Sequence, residues 1–100
     1  MNLRTLWNRT WDVNVTGTQI VTTTFAPLLL QSSDPRLLFV TSGTSSLTIT
    51  ENTKAPINSV PEKGWPKKNS PVADVPAYRS VKTGMNMMMR YVCQASLLKR

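Results

Sequence analysis

The sequence predicts an α/β chain: two long helices, one interior strand of the parallel-sheet type and a long irregular loop, together a fragment of a doubly wound sheet. Three observations carry this. Apolar residues return at spacings near three and four over the first thirty residues and again near the C-terminus. Between them lies one short unbroken apolar run, Leu37-Leu38-Phe39-Val40, and continuous rather than alternating apolar character marks a strand buried on both faces. No second run of that kind accompanies it, so its sheet partners are expected outside this sequence. One hundred residues leave room for a single domain.

Each element follows from its residues. The first helix is expected over 2–31, from Leu3, Leu6, Trp7, Trp11, Val15, Ile20, Val21, Phe25, Leu28 and Leu29. Gly17, Thr22-Thr23-Thr24 and Pro27 oppose it on propensity, which burial can override. Gln31-Ser32-Ser33-Asp34-Pro35 is a turn, because the residue before proline is pushed out of the helical region. The strand is expected over 36–42, closed by Thr41-Ser42-Gly43. A loop over 43–75 follows; its prolines at 56, 61, 66 and 71 are evenly spaced, but the residues between them do not repeat. Pro76 suits a helical first turn, and a second helix is expected over 76–98, with Tyr78, Val81, Met85, Met88, Met89, Val92 and Leu97 on its buried side.

Composition removes whole classes of chemistry. With no histidine and one cysteine, Ser-His-Asp and Cys-His catalysis are excluded, and so are structural zinc and an internal disulfide. A lone Cys93 and no apolar run behind a basic start read as an intracellular, cytoplasmic chain without a secretory leader. The longest uncharged apolar stretch, Phe25 to Leu30, is far short of the ~20 residues of a bilayer crossing, so no membrane association is expected. The net charge of +7 is uneven: six lysines and three arginines stand against three acids in residues 51–100. Trp65 beside Lys63, Lys67 and Lys68 is the one stacking-and-phosphate pattern for single-stranded nucleic acid. These lysines fall in a proline-studded stretch without a helical stripe, so a solvated loop is expected and no nucleic-acid partner.

Tyr78 and Lys82 are four residues apart, on one face of the second helix. A phenol is a poor acid–base group at neutral pH, and an adjacent ammonium favours its anion. Alone, the pair reads equally as a core tyrosine beside a solvated lysine. Ser42 ends the apolar run, at the carboxyl edge where open α/β sheets place ligands. Asn14 lies inside the first helix, in Asn14-Val15-Thr16-Gly17. An Asn in a helix, an apolar strand ending Thr-Ser and a Tyr-x-x-x-Lys helix, in that order, form a rare combination.

In these motifs the sequence resembles the short-chain dehydrogenase/reductase family over nearly its whole length. Trp11-Asp12-Val13-Asn14-Val15-Thr16-Gly17 is similar to the family's Asn-Val-x-Gly segment, Arg36 to Ser42 to its fifth strand, and Tyr78-Arg79-Ser80-Val81-Lys82 to its active-site signature. The resemblance implies a Rossmann-like sheet and an oxidoreductase using NAD or NADP on a small-molecule carbonyl or secondary alcohol. It implies Tyr78 as general acid/base and Lys82 as the residue that favours the Tyr78 phenolate and holds the nicotinamide ribose. It also implies Ser42 as the group that bonds the substrate oxygen, and Asn14 as holder of a proton-relaying water. Thr41 and Ser45 stand close enough to compete for the Ser42 role.

Two departures qualify it. The 43–75 stretch is long, as in carbonyl-reductase-like members, and reads as a flap with Trp65 as lid or as a plain surface insertion. The glycines, Gly17, Gly43, Gly64 and Gly84, are all far apart, so the Gly-rich turn that receives the cofactor pyrophosphate is missing. The chain is therefore expected to be an incomplete fragment that neither binds the cofactor nor turns over alone. In the family the two helices form the subunit interface. A homo- or hetero-oligomer through them is expected, and a non-catalytic module pairing with a full-length relative is the alternative function. The Met85, Met87, Met88 and Met89 cluster serves that surface or packs against the absent sheet.

Overall fold

A computed structural model describes residues 2–58, 62–65 and 75–94. The helical turn expected at 95–98, with Leu97, lies outside the described residues, as do Pro61, Pro66 and Pro71. The first helix is made of three parts in one line: α1 (Leu3–Trp11), a π turn (Asp12–Thr16) and α2 (Gly17–Leu29). Three short 3-10 turns follow, at Gly43–Ser45, Ile49–Glu51 and Pro56–Asn58, and then α3 (Val75–Gln94).

Local chemistry explains how a sequence of poor helix formers stays helical. The Asn2 side chain accepts from the Thr5 N–H at 2.8 Å and caps α1. Thr10 and Thr24 turn their hydroxyls back onto the carbonyls of Leu6 and Ile20, each at 2.7 Å, and so remain in place without an unmet donor. Pro27 lies inside α2, where it lacks the N–H that would bond the Thr23 carbonyl. In the π turn the Gly17 N–H reaches back five residues to the Asp12 carbonyl. A Cβ at Gly17 would lie 3.1 Å from that oxygen, so glycine relieves the closest point of the widened turn.

Helix α3 supplies the core. Ala77, Val81, Met85 and Val92 are its buried apolar residues, on one stripe. Gly84 lets the first helix approach: a Cβ there would fall 2.8 Å from two ring atoms of Trp11, so the edge of the indole lies on bare backbone. Much apolar surface stays in water, including Leu3, Val13, Ile20, Leu28, Met87 and Tyr91.

The structure overturns the expected α/β class. Among the described residues there is no strand and no sheet; the architecture is helical, with residues 35–42 in no regular element. Leu37 and Phe39 are half-buried, whereas Leu38 and Val40 are 87% and 81% exposed. The run is covered on one face only, not on two. A strand needs backbone partners on a neighbouring strand, and among the described bonds the backbone of this run meets one side chain, Lys82 at the Val40 carbonyl. The parallel-sheet fragment is therefore not a feature of this chain's described structure.

If the bare backbone at Gly84 sets the spacing of α3 against Trp11, Gly84→Val should force the helices apart. Overpacking of this kind costs about 1–3 kcal/mol. The expected result is a lower urea midpoint of the helical circular-dichroism signal, with Trp11 fluorescence shifted to that of a solvated indole.

Candidate active site

Four residues stand out in the sequence as candidates, and α3 carries two of them. Tyr78, 41% exposed, and Lys82, half-buried, share one face of the helix. The Lys82 ammonium lies 5.6 Å from the centre of the Tyr78 ring, within cation–π range. The same ammonium donates to the Val40 carbonyl at 3.0 Å, two residues before Ser42. An ammonium has three protons, so this bond leaves donors for a further oxygen.

Asn14 enters from the π turn. Its side-chain amide donates to the Thr10 carbonyl at 2.9 Å, which fixes the residue at the widened part of the helix. Asn14 and Lys82 line one open cavity of about 540 Å³, whose other walls include Thr18, Leu37, Phe39 and Met85. The structure thus brings Asn14 and Lys82 to a common space, and Lys82 to the Tyr78 ring and the run ending in Ser42. Neither Tyr78 nor Ser42 lines that cavity.

Ser42 is the N-cap of the 43–45 turn. Its Oγ accepts from the Thr44 N–H at 3.2 Å and lies 2.7 Å from the Thr44 hydroxyl. If Thr44 donates in the second contact, the Ser42 proton is free for another acceptor, and two incoming bonds make it a better donor. Of its two competitors, Ser45 is buried and donates to the Ser42 carbonyl at 2.5 Å, while Thr41 donates to Asn86 Oδ1 at 2.5 Å. Both hydroxyl protons are already committed.

A second stripe of α3, unnoticed in the motif reading, grips the loop. The Arg79 guanidinium donates to the carbonyls of Thr44 (2.7 Å) and Ile57 (3.1 Å) and to Asn58 Oδ1 (2.8 Å). Thr83 donates to the Ser45 carbonyl at 2.7 Å, and Asn86 Nδ2 to Ser45 Oγ at 2.8 Å. Asn58, itself buried, donates onward to the carbonyls of Ile49 and Asn52 at 3.0 Å each. The signal was available: Arg79, Thr83 and Asn86 are polar residues at spacings of four and three, on one helix face. Trp65, the candidate lid, is 87% exposed.

Among the described residues no group of three or more His, Cys, Asp or Glu could hold a metal ion, and no helix is long and apolar enough to cross a membrane. A cofactor pyrophosphate has little to meet here, since no two of the glycines adjoin and the cavity walls are mainly apolar. A ribose hydroxyl beside Lys82 does fit the donors present.

Two curated proteins resemble the chain. It is 53% identical over 89 residues to the short-chain dehydrogenase/reductase tropE of Talaromyces stipitatus, an alignment covering 89% of this chain and 33% of that protein. It is also 53% identical over 87 residues to the short-chain dehydrogenase/reductase eupG of Phoma sp., covering 85% of this chain and 30% of that one. The chain spans about a third of the length of these relatives. No family model matches it, and no solved structure does.

The Arg79 fork makes a separable prediction. Arg79→Met leaves three acceptors without their donor, at about 1–3 kcal/mol for each that stays buried. Amide exchange across 43–58 should accelerate while α3 keeps its protection. Arg79→Lys should rescue this only in part, because a point charge cannot reproduce the planar fork. Unchanged exchange in Arg79→Met would show that the loop is held by other means.

Proposed function

Because the chain belongs to the short-chain dehydrogenase/reductase family and spans about a third of the length of the two relatives it matches, we propose that it is the acid–base segment of an NAD(P)-dependent oxidoreductase acting on a carbonyl or secondary alcohol. The observation that carries this reading is the place of Lys82. One ammonium lies over the Tyr78 ring, bonds the carbonyl of Val40 and lines the cavity shared with Asn14. A lysine that served only solubility would have no reason to meet all three.

In this reading Tyr78 gives its hydroxyl proton to the substrate oxygen during reduction and takes it back during oxidation. Ser42, whose Oγ receives the Thr44 N–H, donates to the same oxygen and holds it in line. Lys82 keeps one proton on the Val40 carbonyl and offers the others to a ribose hydroxyl. Asn14, pinned to Thr10, holds a water at the widened turn and so links Lys82 to solvent. NAD(P), when bound, supplies or removes the hydride. Its phosphates must be held by other residues than these, so turnover belongs to a protein that adds a phosphate-binding turn to this segment.

A graft tests it. Residues 1–100 replace the matching third of the Talaromyces stipitatus relative, and Tyr78→Phe is compared with the parent graft. The substitution removes one oxygen, so stability should move by no more than ~1 kcal/mol, while turnover should fall at least ~10²-fold. Lys82→Met should do similar damage. A graft that keeps its rate after Tyr78→Phe would exclude Tyr78 as the acid/base. A mutant that unfolds would identify it as a core residue.

One further observation favours an additional, non-catalytic role. Val15, Ile20, Met87, Met88 and Tyr91 line an open apolar groove of about 620 Å³ between the π turn and α2 on one side and α3 on the other. A second copy of the chain, or a longer relative, would cover it. Light scattering after gel filtration should then show an oligomer for the parent chain, and Ile20→Glu with Tyr91→Glu should dissociate it without loss of helix.

A further inference from the structure

We infer that Asn86 is a positioning residue, the one that sets Ser42 in register with Tyr78 and Lys82. The inference rests on the reading of Ser42 as the substrate-oxygen donor. It follows from how two hydroxyls flanking Ser42 converge on one side chain. Thr41 Oγ1 donates to Asn86 Oδ1 at 2.5 Å, and Asn86 Nδ2 donates to Ser45 Oγ at 2.8 Å. Ser45 in turn donates to the Ser42 carbonyl at 2.5 Å.

The direction of these bonds leaves no freedom. Ser45 has a single hydroxyl proton and spends it on the Ser42 carbonyl, so toward Asn86 it accepts. The amide nitrogen of Asn86 therefore faces Ser45, its oxygen faces the other way, and Thr41 is the donor. Ser45 is 5% exposed, which makes an unmet bond there costly and the arrangement specific. The residue before Ser42 and the residue three after it are thus tied to one point on α3. That point is one helical turn beyond Lys82. Tyr78, Lys82 and Asn86 follow each other at intervals of four along the same helix, so the helix itself is the ruler. Only an amide does this: aspartate offers no donor to Ser45, and a shorter hydroxyl cannot reach both partners.

Asn86→Asp tests the tether with little change of shape, since it keeps the acceptor for Thr41 and removes the donor to Ser45. In the 100-residue chain the Ser45 and Ser46 amides, which donate to the Ser42 and Gly43 carbonyls at 3.0 and 3.2 Å, should exchange faster, while amides in the middle of α3 keep their protection. In the graft, kcat should fall about 10-fold to about 10²-fold, the usual effect of a small misplacement of a reacting group, with KM for the nicotinamide cofactor unmoved. The decisive readout is the double variant. Combined with Ser42→Ala, Asn86→Asp should cost nothing beyond Ser42→Ala alone, because residues acting through one another are not additive. Additive losses, or unchanged exchange at Ser45 and Ser46 beside a damaging Ser42→Ala, would overturn the role of Asn86 and leave the reading of Ser42 standing. A Ser42→Ala graft with full turnover would instead remove the reading of Ser42, and the inference with it.

Discussion

Helix α3 works on two sides at once, and everything else in the described structure depends on that. Its apolar stripe of Ala77, Val81, Met85 and Val92 is the buried core, and Gly84 admits the Trp11 indole against its backbone. Its polar stripe of Arg79, Thr83 and Asn86 holds the 41–58 region by hydrogen bonds to Thr41, Thr44, Ser45, Ile57 and Asn58. Among the described residues four apolar side chains are buried, a small hydrophobic contribution beside which the polar bonds weigh heavily. The polar stripe is therefore a main fastening and not an ornament of one. Arg79 illustrates the point: its three described acceptors are all neutral oxygens, so it works through directional bonds and not through an ion pair.

What was legible in the sequence was local. Tyr78 and Lys82 meet because four residues make slightly more than one helical turn, and spacing alone places them. The 37–40 run misled because continuous apolar character does not say how many faces are covered. Leu37 and Phe39 lie toward the helices and Leu38 and Val40 toward solvent, an alternation that four adjacent apolar residues conceal. The π turn was illegible for another reason: a shift of hydrogen bonding from four residues to five leaves no mark on hydrophobic period. Only Gly17, placed where a Cβ would press on the Asp12 carbonyl, hints at it. The bonds of Asn86 with Thr41 and Ser45 span 45 and 41 positions and could not be read from spacing at all, although the polar face that makes them could.

The 35–42 segment shows how the candidate site keeps its shape without a ladder in the described residues. Lys82 holds the Val40 carbonyl and Asn86 holds Thr41, so two residues one turn apart on α3 fasten two neighbouring residues of that segment. The rise of a helical turn, about 5.4 Å, and the reach of a lysine against an asparagine together fix where the segment turns toward Ser42. The site is thus referenced to a helix and not to a sheet. A side-chain fastening of this kind leaves the side chains of Leu38 and Val40 exposed. Exposed apolar surface favours association. The Lys82 and Asn86 bonds reach this segment from α3 at the Val40 carbonyl and the Thr41 hydroxyl, and not through the exposed side chains of Leu38 and Val40. Fastening to the helix and exposure of apolar side chains are thus separate features of this one segment, the first set by polar residues of α3 and the second by Leu38 and Val40.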